Sequence, residues 1–185
     1  MVDPGRWGVM AVAASRRTVP GVTLRPMVEA DVAAARALDA LVQPTPWSDE
    51  FLRTQLADGA TRHLLVAEAP DGSAVGHAAL VVVADEGHVT SIAVDPAHQR
   101  SGIGSLLLAA LCREAVARGL AAMTLEVRVD NEAAIALYRR FGFAPAGVRP
   151  GYYADPDGST TDALVLWVHD VDDPAFRRAI EEASC

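Results

Sequence analysis

Lysine is absent from this chain of 185 residues; all 16 basic residues are arginine. A P-loop that cradles nucleotide phosphates needs a lysine after its last glycine, so that chemistry is excluded. Cysteine is scarce. Cys112 and Cys185 build neither a disulfide framework nor a zinc-ligand spacing, and such usage fits a reducing, cytoplasmic setting. The histidines (His63, His77, His88, His98, His169) are scattered without metal-ligand spacing, so no metal is expected. No apolar run approaches the ~18 residues of a membrane span. Arg6, Arg16 and Arg17 accompany no continuous apolar core of signal-peptide type. Positive charge is also short. The 24 acidic residues leave a net charge of −8, which argues against direct nucleic-acid binding and is compatible with a basic peptide as partner. What is present, 51% hydrophobic and 22% charged residues, is the make-up of one soluble domain with a full core.

The stretch Val94-Asp95-Pro96-Ala97-His98-Gln99-Arg100-Ser101-Gly102-Ile103-Gly104-Ser105 carries the most information. A strand-like run, Val89 to Val94, enters it, and an apolar-periodic run, Ser105 to Arg118, leaves it. Strand, glycine-rich turn and helix together present free backbone N–H groups to a phosphate, and glycines let the backbone come close to it. A dinucleotide fingerprint would place a third glycine where Leu107 stands, although Glu126 lies at the distance of its acidic residue. The pattern that fits is Gln99-x-x-Gly102-x-Gly104.

On that pattern the chain resembles the GNAT superfamily of N-acetyltransferases. The segments Leu125-Glu126-Val127-Arg128, Asn131, Ala133 to Tyr138 and Phe141-Gly142-Phe143 are similar to the bacterial ribosomal-protein-alanine N-acetyltransferases, as are Pro46-Trp47-Ser48 and Tyr152-Tyr153. The likeness runs from about Val22 to His169. It implies acetyl-CoA as co-substrate, with Gln99, Arg100, Ser101, Gly102, Ile103, Gly104 and Ser105 around its pyrophosphate and Asn131 at the pantetheine amide. Backbone N–H groups of Ile92, Ala93 and Val94 would hold pantetheine and the thioester carbonyl. Glu126 would be the base and Tyr138 the acid.

The residues themselves support two readings of each. Glu126 is a lone carboxylate in an apolar strand, able to deprotonate an α-amine of ordinary pKa about 7.7–8.0; alternatively it pairs with Arg128, two residues on and on the same strand face. Asn131, Ile135 and Tyr138 fall along one helical face. A phenol protonating a thiolate goes uphill by about 2 kcal/mol, tolerable in fixed geometry; alternatively Tyr138 is a core aromatic. Cys112 and the serines lack a histidine partner at motif positions, so direct attack by the amine is expected rather than an acetyl-enzyme.

Residues 1–21 read as a flexible extension, 22–170 as the acetyltransferase domain and 171–185 as a helical tail begun by Pro174. Strands are expected at Val22–Pro26, Arg62–Glu68, Ala74–Ala84, Val89–Val94, Met123–Val127 and Ala163–Val168. Glu86-Gly87 and Asp155-Pro156-Asp157-Gly158 read as turns. Helices are expected at Glu29–Val42, Ser48–Ala57, Ser105–Arg118 capped by Gly119, and Asn131–Phe141. The class is α+β: a mixed, mostly antiparallel twisted sheet of about six to seven strands flanked by helices, with a helical crossover leaving the fourth and fifth strands parallel. The resemblance adds that those two strands splay.

The same resemblance implies a protein N-terminus as acceptor, specifically the N-terminal alanine of a small-subunit ribosomal protein, with the chain a monomer or weak dimer. A small-molecule amine, or an acetyl-CoA-binding module without catalysis, are the alternatives. Glu29, Asp31, Asp39, Asp49 and Glu50 cluster early in the chain and are read either as an acidic acceptor groove or as caps and solvated face. Without lysine, the chain cannot regulate itself by lysine autoacetylation.

Overall fold

The computed structural model describes residues 19–183. Strands β1 (Thr23–Pro26), β2 (Arg62–Glu68), β3 (Ala74–Val83) and β4 (Glu86–Val94) form an antiparallel meander, joined to β5 (Ala122–Arg128), β6 (Ala144–Ala154) and β7 (Thr160–His169) in one sheet ordered β1-β2-β3-β4-β5-β7-β6. β4 and β5 are parallel, as the crossover requires; the other pairs are antiparallel.

The pleat divides the core in two. Leu65, Ala67, Ala78 and Leu80 face α3 (Ile103–Ala117), α4 (Glu132–Arg140) and α5 (Pro174–Ala183), whereas Leu64, Val66 and Ala79 face α1 (Val32–Val42) and α2 (Asp49–Ala57). Ser48 caps α2, its hydroxyl accepting the Phe51 N–H at 3.1 Å. α3 ends in a Schellman motif: Gly119, at φ 67, donates to Val116 and Leu120 donates to Ala115. Val171, Phe176 and Ile180 join the same core as α3, so the segment 171–183 packs on the domain. All of residues 1–21 before Val19 lie outside the described residues.

Three elements depart from the sequence expectation. The helix expected from Glu29 opens with a 3₁₀ turn, Glu29–Asp31, because the Asp31 carboxylate accepts the Val28 N–H at 2.8 Å and is held by Arg25 at 2.7 Å; α1 starts at Val32. The β3–β4 turn is Ala84-Asp85, with Ala84 at φ 54, and Glu86-Gly87 already belong to β4. Gly87 is buried in the strand for want of space: a Cβ there would lie 3.0 Å from Leu120 and 3.2 Å from Leu80. Finally, β6 was not expected from Pro145, Gly147, Pro150 and Gly151. It is the sheet's outer edge, where a missing N–H leaves no ladder bond broken.

The functional feature of the sheet is a gap. β4 and β5 pair only from Glu86↔Ala122 to Val89↔Leu125. Next to that last pair Thr90 is a bulge, since Leu80 opposes Val89 and Ala79 opposes Ser91. A bulge bends and twists its strand, and from there β4 runs on beside β3 alone. The expected splay is present, with Ile92, Ala93 and Val94 along one side of it and Glu126, Val127 and Arg128 along the other.

Candidate active site

β4 delivers the chain into the glycine-rich loop. Asp95 caps a 3₁₀ turn over Pro96–His98, accepting the Ala97 N–H at 2.8 Å. The Gln99 amide donates to Val94 O at 3.2 Å and the Ser101 hydroxyl to His98 O at 2.5 Å. These two side chains brace the loop from within. Arg100 (φ 61) and Gly102 (φ 104) both take left-handed backbone, and Gly102 is the N-cap of α3. The cap supplies no side chain, which leaves the first turn's N–H groups facing outward. Ile103 is buried in the core, so only its backbone is offered. Gly104 and Ser105 complete that turn. A Cβ on Gly104 would meet protein atoms only at ordinary contact, 3.5 Å from Leu137. This donor set, an unpaired β4 edge plus an anion-ready helix start, fits a phosphorylated, amide-bearing thioester such as acetyl-CoA.

Asn131 is the N-cap of α4, its Oδ1 accepting the Ala134 N–H at 3.1 Å. It therefore precedes the helical face on which the sequence placed it with Ile135 and Tyr138, and its amide donors remain for a ligand carbonyl. Tyr138 is buried, edge-to-face with Phe143 at 6.1 Å. Burial pushes its phenol well above the ordinary tyrosine value, with the nearby Tyr153 a secondary cause. It is a group that keeps its proton through the neutral range.

Glu126 points the other way. Its neighbours Leu125 and Val127 face α3 and α4, so Glu126 lies on the face that carries α1 and α2. Its side chain is 8% exposed, and both oxygens are engaged: Oε2 meets His88 Nε2 at 2.6 Å, and Oε1 meets Arg149 Nη2 at 2.9 Å. The partner anticipated from sequence, Arg128, is elsewhere. It binds Asp155 at 2.7 Å, Asp130 at 3.0 Å and Thr161 at 2.9 Å, and lies over the Tyr153 ring. That clamp ties β5 to the β6–β7 hairpin. Tyr153, pushed up to about 12 chiefly by burial, stands near enough to both Tyr138 and Glu126 for their charges to be felt. Base candidate and acid candidate thus come from opposite faces of the sheet.

Sequence reasoning missed His88 and Arg149. His88 shares a face with Glu126 across the parallel pair, but the register that aligns them, His88↔Thr124, is not written in either strand. The acidic cluster is largely spent inside the chain. Asp31 is bound by Arg25, Glu29 by Arg53, Asp49 by Arg36, and Asp39 is buried against His77 at 2.8 Å. His98 stays on the loop surface, 3.5 Å from Asp95. An open groove of about 490 Å³ lies between α1 and the β2–β3 turn, lined by Ala34, Leu38, Leu41 and Ser73 among others; it contains none of the residues at the gap. Among the described residues no group of three or more histidines, cysteines and carboxylates is placed to hold a metal ion, and no helix is long and apolar enough to cross a membrane.

The family model for the acetyltransferase (GNAT) family matches residues 32–143. The ribosomal protein bS18-alanine N-acetyltransferase of Escherichia coli is 37% identical over 144 residues, 78% of this chain and 95% of that protein. Its counterpart in Salmonella typhimurium is 37% identical over 136 residues, 74% of this chain and 89% of that protein. The crystal structure of the Escherichia coli enzyme superimposes with a TM-score of 0.73 at 34% identity, covering 80% of this chain and 94% of that one.

Proposed function

The chain belongs to the acetyltransferase (GNAT) family, and we propose that it acetylates the α-amine of a protein N-terminus, with the N-terminal alanine of ribosomal protein bS18 as its acceptor. The observation that carries this reading is the β4–β5 gap, with the unpaired edge of β4 on one side, the enclosed carboxylate of Glu126 on the other and the side-chain-free start of α3 at its end. The acceptor's relation to bS18 rests on the relatives that bear that name.

Acetyl-CoA supplies an activated acyl group and a thiol leaving group. The α3 N-terminus and the loop Gln99–Ser105 hold its phosphates, and Asn131 takes a pantetheine carbonyl. Glu126 accepts one proton from the acceptor's ammonium, leaving the nitrogen lone pair free to form the new C–N bond. The N–H groups of Ile92 and Val94, on the side of β4 turned away from β3, face the carbonyl oxygen, where negative charge grows, while the Ala93 N–H between them belongs to the β3 ladder. Tyr138 gives its proton to the sulfur as the C–S bond breaks, and the second proton that the attached nitrogen sheds as the amide forms passes to solvent, from which the phenol is restored; the net release is the one proton held by Glu126. The burial that raises Tyr138 also raises the affinity of a thiolate for a proton in the same dry gap, so donor and acceptor stay matched more closely than their values in water suggest.

Acetyl-CoA turnover read by mass spectrometry tests the acceptor. Three are offered: a basic peptide with free N-terminal alanine, the same peptide Nα-blocked and containing lysine, and a mixture of small amines. Mass gain on the free terminus alone is expected. Gain on small amines alone would overturn the peptide assignment while keeping the family chemistry.

A further inference from the structure

We propose that Arg149 is a resident counter-cation that the acceptor's ammonium displaces from Glu126; the inference rests on the amine-acceptor reading above. Glu126 is nearly enclosed, and a carboxylate left bare there between turnovers would be costly. His88 on β4 and Arg149 on β6 prevent that, one at each oxygen. The two partners differ in how they are held. His88 stands in the sheet's interior ladder between β3 and β5. Arg149 reaches in from the outer edge strand with its side chain 56% exposed, its guanidinium 5.6 Å from the ring centroid of Tyr152, itself exposed.

The backbone under Arg149 is built irregularly. Arg149 pairs with Ala163 and Tyr153 with Thr161, so Pro150, Gly151 and Tyr152 oppose Asp162 alone. Gly151 takes φ 61 and donates its N–H to the Asp162 carboxylate at 2.8 Å. This bulge puts Arg149 at the last paired position before the strand lifts away, and bulges re-aim side chains beside active sites. The remaining groups toward Glu126 are His88 from β4 and Tyr153 from β6; β7 presents Val165 opposite it and no charge.

A protonated α-amine can take the place of the guanidinium at Oε1, one cation for another, with no net change in charge. A neutral or anionic group cannot. Arg149 then swings over Tyr152 into solvent and returns to the ionised carboxylate once product and proton have left. Because the guanidinium end of the contact is half in solvent and the His88 contact to Glu126 stays in place, the competition it imposes is modest, about 1.4- to 5-fold in acceptor affinity.

The test compares wild type, Arg149→Met and Arg149→Lys on the free-alanine peptide. Arg149→Met is expected to lower acceptor KM by about 1.4- to 5-fold with kcat and acetyl-CoA KM unchanged; Arg149→Lys is expected to behave as wild type. A rise in acceptor KM in Arg149→Met would make Arg149 a peptide-binding group, and a fall in kcat at unchanged KM would make it a transition-state group; either overturns the exchange. If only small amines are acetylated, the peptide reading has failed and the same comparison on that amine still decides the exchange. Calorimetric binding of the peptide to CoA-loaded enzyme gives the comparison without turnover, and the lysine variant keeps it decisive should the methionine variant fold poorly.

Discussion

If Glu126 is the proton acceptor, replacing it by glutamine removes that function and the negative charge offered to the acceptor's ammonium, while leaving size and packing in place. The carboxylate sits between two donors, His88 Nε2 at 2.6 Å and Arg149 Nη2 at 2.9 Å. A glutamine turned with its carbonyl toward Arg149 presents its NH₂ to His88, which accepts it by adopting the other neutral tautomer. Both contacts survive, so thermal stability and the KM for acetyl-CoA are expected to stay at wild-type values. The catalytic loss is that of one general base, about 10²- to 10⁴-fold in kcat/KM for the acceptor, or about 2.7–5.4 kcal/mol of transition-state free energy. The loss is pH-dependent in a direction fixed by the substrate. Below its ordinary range of about 7.7–8.0 an α-amine arrives protonated and needs Glu126; above that range it arrives neutral and does not. Thiol release from acetyl-CoA, followed at pH values from about 6.5 to about 9 with product mass confirmed, should show a deficit that narrows as pH rises. A deficit under about tenfold at neutral pH, or one that does not narrow, refutes Glu126 as the proton acceptor.

Tyr138→Phe should lower kcat by about 10²-fold or more with acceptor KM unchanged, because the group acts only as the C–S bond breaks; an unaltered kcat would return Tyr138 to a packing role. The same residue makes stability fall at alkaline pH. Its phenol is raised by burial in the folded state, so its contribution is complete below the unfolded value of about 10 and is lost as pH rises above it. Tyr153, also raised, acts in the same sense. Tm should therefore drop as pH rises above about 10, less steeply in Tyr138→Phe; parallel curves for the two proteins would contradict the shift. Gly102→Ala forces an alanine to φ 104 with its Cβ 3.2 Å from Val19, a strain of about 1–2 kcal/mol that lowers Tm by about 2–8 °C. Acetyl-CoA KM should rise with it, and an alanine variant with both values unchanged would sink the role given to this turn.

The parts of the fold legible in the sequence are those set by local chemistry. Gly102 before an apolar-periodic run, Ser48 before Phe51 and Gly119 after Arg118 each mark a helix end through the backbone's own needs. The parallel β4–β5 pair follows from the crossover through α3. What was not legible depends on register and on neighbours far along the chain. Gly87 looks like a turn residue until Leu120 and Leu80 are seen against it. The proline- and glycine-laden stretch of β6 is a strand only because it lies at an edge. Glu126 has Arg128 two residues away, yet Arg128 is claimed by Asp130, Asp155 and Thr161, while the groups that do reach Glu126 stand 38 and 23 positions from it in sequence.

The site can be traced to one extra residue in β4. Were Thr90 to pair in register, Ser91–Val94 would continue beside Glu126–Arg128 and their N–H groups would be spent on the β5 ladder. The bulge instead ends that ladder at Val89↔Leu125, one residue before Glu126. The strands part, and three consequences arise together: backbone donors are released at Ile92 and Val94, space opens from one face of the sheet to the other, and the next residue of β5 becomes a carboxylate at the rim of the opening. Tyr138, brought in by α4 among the core residues of the other face, and the side-chain-free start of α3 are positioned by the same crossover that makes β4 and β5 parallel. The bulge at Thr90 and the helix after Gly102 together therefore set where donors, carboxylate and phenol stand.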